Sequence, residues 1–225
     1  MHVFLSYPLA KGQVVYPNSP AYLSGRQDII GVNGSVFNTS IMVIPNHYGT
    51  HYDAPRHFNP EGLKITELPM DYFCFKGDDI LILDVPKGNK EVITAEDVMP
   101  YKDQIAKAKL LLLRTGFEKQ KELDPESYKY ENPSAHPSFC KYLVENFPEL
   151  KTIGLDSLSL GSVCNDYAIE AHHWLLGCYT DHFVTVIEDM MLSPLEGKTV
   201  KSITVAPIRA LDVDSAPVTI IAEVE

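Results

Sequence analysis

The sequence predicts one α/β domain built on a mixed sheet, and three observations lead there. Residues 79–85 and 109–115 are short, almost wholly apolar runs that read as buried strands. Helix-type segments alternate with strands through the middle of the chain, while both ends are rich in strand and turn signals. The chain has 225 residues, an ordinary size for one domain, and its 45% hydrophobic content supplies a core without disulfides.

In chain order, residues 1–40 carry turn chemistry between short apolar stretches. Tyr16-Pro17-Asn18-Ser19-Pro20 and Val32-Asn33-Gly34-Ser35 are the clearest examples, and the region reads as short strands and loops. Residues 36–45 are β-branched and apolar, a strand leading into a histidine-rich segment. The run 79–85 is closed by Pro86. Thr94, with Asp97 three residues on, is a relative of the capping box and opens a helix. The run 109–115 is ended by Gly116. Residues 118–137 are charged and aromatic without a clean period, and read as a surface excursion of the sort that serves as a lid. Then come a short helix (138–147), a strand (151–156), the start of a helix (170–176) and three strands (183–188, 202–207 and 217–224).

The formal net charge of −11 repels a phosphate backbone, so nucleic acid is not an expected partner. No apolar run reaches the roughly 18 residues of a membrane span, and no membrane partner is expected. The start lacks the basic stretch and apolar run of a secretory leader. Cys74, Cys140, Cys164 and Cys178 form no CxxC pair. Reduced thiols and a cytoplasmic location are the expectation.

The chemistry concentrates in residues 47–57, which hold three of the eight histidines. His47, Gly49, His51, Asp53, Pro55 and His57 all fall at odd positions. In an extended chain residues i and i+2 share a side, so three imidazoles and a carboxylate converge on one face. Gly49 then leaves a gap where a side chain would block an ion. Gly49 and Pro55 argue against a helix. Imidazoles plus carboxylate suit zinc or manganese with positions left open, whereas structural zinc prefers thiolates.

The string HYGTHYDAPRHF resembles, position by position, the HxGTHxDxPxH signature of the cyclase-type metal hydrolases, a family that includes bacterial kynurenine formamidase and isatin hydrolase. Phe4-Leu-Ser-Tyr-Pro-Leu and Val15-Tyr-Pro-Asn-Ser-Pro are similar to that family's opening. Gly154-Leu-Asp-Ser-Leu-Ser-Leu is similar to its GIDxxSL strand, His172-His-Trp-Leu-Leu to its HxxLL helix, and Val186-Ile-Glu188-Asp-Met to its closing glutamate segment. The likeness covers nearly the whole chain. It implies a swivelling β/α fold and a small-molecule substrate, with homodimeric pairing in which 118–137 is the candidate arm or lid.

Carried over, the resemblance makes His47, His51 and Asp53 metal ligands and His57 the proton-transfer residue. It makes His172 and Glu188 ligands completing the site around a second cation, with His173 as the alternative to His172. One or two divalent ions per chain are implied, zinc first and manganese second. The expected reaction is hydrolysis of an amide or formamide C–N bond, as in an arylformamidase, by metal-activated water with histidine acid/base help. Opening or closing a cyclic amide or lactone is the alternative within the family, and a non-catalytic metal-binding protein the alternative outside enzymes. Two departures stand out. Tyr16-Pro17-Asn18-Ser19 replaces the family's Trp-Pro-Gly-Asp, leaving Tyr16 to stack on an aromatic substrate. His172 and Glu188 are also spaced more widely than in the family, as an insertion around 178–182 would produce.

Overall fold

Four parallel strands joined to an antiparallel set form one mixed, nearly closed nine-stranded sheet in the computed structural model, which describes residues 1–225. The strands in chain order begin with β1 (His2–Phe4), β2 (Leu23–Asp28), β3 (Thr39–Val43) and β4 (His51–Asp53). Next come β5 (Cys74–Lys76), β6 (Ile80–Asp84), β7 (Val92–Ile93), β8 (Leu110–Arg114) and β9 (Ser134–Ala135). The last are β10 (Thr152–Leu155), β11 (Thr185–Glu188), β12 (Val200–Pro207) and β13 (Ser215–Val224). The sheet runs β5-β12-β13-β4-β11-β10-β8-β6, with β1 also on β13. Strands β6, β8, β10 and β11 are mutually parallel, and β4 runs antiparallel to both its neighbours, β11 and β13. The edge strands β5 and β6 are separated in sequence only by the single turn Gly77–Asp79, which curls the sheet back on itself.

The apolar run 109–115 is explained by burial on both faces. Leu111 and Leu113 pack with Ile153, Leu155, Val186, Phe139 and Leu143 beneath the helices α4 (Pro137–Asn146) and α5 (Tyr167–Leu175). Leu110 and Leu112 join Tyr52, Ile187, Ile203, Val205 and Ile220 inside the curled sheet. A strand with two dry faces has no position for a polar residue, so the sequence shows no alternation.

Three local expectations are corrected. Residues 36–45 do not feed the main sheet: β3 pairs only with β2, in a separate hairpin that leaves Ile41, Met42 and Val43 exposed. Its composition marks a strand but not a partner. After Thr94 there are only single turns, Ala95–Asp97 and Met99–Tyr101, before the four-residue α1 (Lys102–Ile105). The Asp97 carboxylate does accept from the Thr94 amide at 2.7 Å, but Pro100 follows within the next turn.

The segment 118–137 is helical rather than a loose excursion, with α2 (Gln120–Leu123) and α3 (Pro125–Tyr130). The Asp124 side chain caps α3 by accepting from Ser127 N at 3.1 Å. Phe117 and Tyr128 are buried against Leu158, Lys121 Nζ lies 2.5 Å from Asp189 Oδ2, and Tyr128 donates to Asp189 at 2.6 Å. The underside is therefore core and takes in Glu118 and Lys121, while Lys119, Glu122, Asp124 and Glu126 lie on the outer side. No helix is long and apolar enough to cross a membrane.

The loop after β10 leads to α5 across a very close approach. A Cβ on Gly161 would lie 2.4 Å from Ala168 Cβ and 3.0 Å from its Cα. Gly161→Ala must push α5 outward, and overpacking of this kind costs about 1–3 kcal/mol. Denaturant unfolding should show a lower midpoint at unchanged slope.

Candidate metal centre

Strand β4 fixes the heart of the site. His51 and Asp53 point to one face of the sheet while Tyr52 points into the core, where its hydroxyl meets Thr185 Oγ1 at 2.6 Å. The strand covers only these three residues, so simple alternation does not bring in His47 and His57. His47 arrives through a turn at Gly49, whose φ is +66°. A Cβ there would stand 2.4 Å from Gln13 Nε2, so this glycine serves the turn and the packing of the N-terminal segment rather than leaving a gap for an ion. His57 arrives through a single 3₁₀ turn, Pro55–His57. Thr50 is structural: its hydroxyl donates to Asp189 O at 2.6 Å and accepts from Tyr7 N at 3.0 Å.

The second half of the site comes from α5 and β11. The β4–β11 register sets Glu188 directly opposite His51. Glu188 Oε2 lies 3.3 Å from His51 Nε2, and Oε1 lies 3.4 Å from His172 Nε2. Glu188 Oε1 also accepts from Leu160 N at 2.6 Å and Ser159 Oγ at 3.0 Å, so the loop after β10 holds it in place. His172 is buried, whereas its neighbour His173 turns outward to Tyr179 and Glu170. The structure therefore brings His47, His51, Asp53, His57, His172 and Glu188 together and leaves His173 out.

The proton positions argue for a cation. His51 Nδ1 lies 2.8 Å from Gly49 O, and His172 Nδ1 lies 2.6 Å from Ala168 O. A carbonyl can only accept, so in the neutral ring each Nδ1 carries the proton and each Nε2 presents a lone pair. Those lone pairs face carboxylate oxygens that also carry lone pairs. Asp53 is fully buried: Oδ1 lies 3.2 Å from His47 Nδ1 and 3.5 Å from His51 Nε2, neither aligned as a hydrogen bond, and Oδ2 has no partner. A buried carboxylate whose only neighbours of opposite character are imidazoles is costly to keep charged, and a metal ion fits this donor set. His47, Asp53 and His57 form one group whose ligand atoms lie within 4.8 Å, and His51, Asp53 and Glu188 form another. Asp53 belongs to both, the position of a bridging ligand.

Electrostatics agree. Burial opposes protonation of His47, but Asp53 and Asp214 outweigh it and hold the imidazole up to about 10. Burial likewise opposes charge on Asp53 and Glu188, yet the facing histidines keep both carboxyls below the usual range. The centre is a well of negative potential that binds protons when nothing else is there, so protons compete with metal as pH falls.

One residue was not foreseen. Asp214 stands at the start of β13, whose register places Ser215 opposite Asp53. Its Oδ2 accepts from His57 Nδ1 at 2.9 Å and lies 3.1 Å from His47 Nε2, while its Oδ1 accepts from Asn46 at 2.7 Å. Ser215 Oγ lies 2.8 Å from the same His47 nitrogen. No local pattern marks Asp214, because only the β4–β13 pairing joins it to the histidines across some 160 residues.

Above the cluster opens a cavity of about 390 Å³. Val15, Tyr16, Ser19, Pro20, Pro45, Phe58, Leu158 and the start of α5 line it. None of the residues that line it lies in 118–137.

A curled mixed α/β sheet with paired metal-binding groups at its centre defines the class, and comparison with known proteins gives the family. The model of the Cyclase family, "Putative cyclase", matches residues 3–162. The chain belongs to the cyclase family. It is 48% identical over 119 residues to an uncharacterized protein of Haemophilus influenzae, covering 53% of this chain and 82% of that one. It is 28% identical over 186 residues to kynurenine formamidase of Bacillus cereus, covering 83% and 79%. Isatin hydrolase A of Labrenzia aggregata superposes with a TM-score of 0.80 at 18% identity, covering 99% of this chain and 93% of that one, which shows the shared fold.

Proposed function

We propose that the protein is a metal-dependent hydrolase that cleaves an amide or formamide C–N bond in a small molecule, in the manner of an arylformamidase. One observation carries this: a fully buried Asp53 carboxylate with no aligned hydrogen bond, its nearest neighbours the imidazoles of His47 and His51, beneath a cavity. Kinship with kynurenine formamidases supports the same bond type. His47, His51, Asp53, His172 and Glu188 would hold one or two divalent ions. Zinc suits the donors best, and manganese is accommodated. Such a cation would lower the pKa of water to about 7 and polarise a carbonyl.

The chain's own residues do the rest. Asp214 accepts the Nδ1 proton of His57, which makes Nε2 the basic atom and fixes the ring. His57 then takes a proton at Nε2 and returns it from Nε2 to the leaving nitrogen. Tyr16 and Phe58 stand in the cavity wall to stack on an aromatic substrate. Asp214→Asn retains the shape but weakens the acceptor, and partners of this kind are worth about 10–100-fold. Turnover should fall by that factor at saturating metal, the condition needed because Asp214 also contacts His47. Turnover at the parent rate would remove Asp214 from the mechanism.

Assays of the metal-loaded protein against formanilides, N-formylkynurenine, isatin and simple lactones test the bond type. Turnover confined to the lactones would overturn the C–N assignment. Four unpaired cysteines fit a reducing compartment such as the cytoplasm. The exposed apolar side chains of the β2–β3 hairpin, Leu23, Ile41, Met42 and Val43, suit pairing with a second copy. Light scattering should then give twice the chain mass.

A further inference from the structure

We infer that the part of the substrate away from the scissile bond is uncharged, and that the wall around Ile169 sets this preference. The inference rests on the hydrolase reading above. Seventeen residues line the cavity, and none is lysine or arginine. Its charged and titratable groups, His47, His51, His57, His172 and Glu188, all lie at the floor. Glu188 is already engaged by Ser159, Leu160 and two histidines. The walls are Val15, Tyr16, Pro20, Phe58, Leu158 and Ile169, with only neutral polar groups between them.

A substrate carboxylate placed against these walls would lose water and find no cation. An unpaired charged group in such a place is strongly disfavoured. The net charge of −11 adds to the repulsion. An apolar or aromatic body instead buries its surface on Tyr16, Phe58 and Leu158. Substrates ending in a carboxylate, amino-acid head groups included, are therefore discriminated against.

Ile169 is the position where this can be changed. It lies one helical turn before His172, on the same side of α5, and is largely exposed at the cavity mouth. An arginine there keeps its head in water while reaching the substrate's far end.

The test uses the metal-loaded protein and two formanilides of matched reactivity, 4-formamidophenylacetamide and 4-formamidophenylacetate. A methylene insulates the reacting nitrogen from the group that differs. The neutral compound should have the higher kcat/KM by about 30-fold, corresponding to roughly 2 kcal/mol. In I169R the ratio of anion to neutral should rise at least about tenfold, the gain expected from one charge-assisted contact. Calorimetric binding of the matching acetanilides, 4-acetamidophenylacetamide and 4-acetamidophenylacetate, separates the two claims. If neither formanilide is cleaved but the neutral acetanilide binds more tightly, the hydrolase reading fails and the uncharged-substrate inference stands. Equal or tighter binding of the anion, binding of neither compound, or an I169R ratio equal to that of the parent overturns the inference.

Discussion

His57→Ala is expected to retain the metal at the parent's level per chain and to lose about 10²–10⁴ in kcat. The residue is set apart from His51 and His172 by its hydrogen bond. Its Nδ1 is committed to Asp214, a carboxylate that is partly exposed. His51 and His172 instead direct their Nδ1 atoms to main-chain carbonyls within the protein and turn Nε2 inward to Glu188. The geometry does let His57 join His47 and Asp53 in one metal-binding group, so metal content is the deciding readout. If metal is lost in parallel with turnover, His57 is a ligand and its role in proton transfer is wrong. With metal retained, added imidazole should restore part of the rate by filling the vacated space.

Asp53→Asn is expected to abolish both metal binding and the stabilisation that metal confers. Asp53 is the one residue common to both groups that could hold a metal, and neither of its oxygens accepts an aligned hydrogen bond from the protein. Saturating metal at about 100 times its dissociation constant stabilises the folded chain by about 2.7 kcal/mol. The parent should therefore show a clear rise in unfolding temperature on adding zinc or manganese, and D53N should show none. Without metal the substitution should also cost stability, because Asp53 is the charge partner of His47 and His51 in the ion-free site. A D53N protein that still gains stability from the ion would place the metal elsewhere.

How much of this was legible in the sequence differs from one part to another. The run at 109–115 reads directly as a strand because burial on both faces leaves an unbroken apolar signature, and 79–85 reads so although its edge strand is only half-buried. The segment 47–57 was legible as a cluster, yet the reason for the convergence was not. Alternation explains His51 and Asp53, while the turn at Gly49 and the 3₁₀ turn at Pro55 deliver His47 and His57. The choice of His172 over His173 followed from the family motif, and in the structure it follows from which face of α5 meets Glu188.

Other features could not be read because they depend on distant pairings. Asp214 gains its position from the β4–β13 register, and Ser159 and Leu160 hold Glu188 from a loop about 28 residues away. The 118–137 segment misled because its charged outer side dominates its composition. Phe117 and Tyr128, which anchor it, are ordinary aromatics until Leu158 is seen against them.

Elemental analysis of the protein purified without added metal, expressed per chain and repeated after chelation, tests the central claim most directly. One or two equivalents of zinc or manganese are predicted, with hydrolysis of a formanilide lost on chelation and restored by returning the ion. Metal-free protein that hydrolyses the same substrate at the full rate would contradict the account.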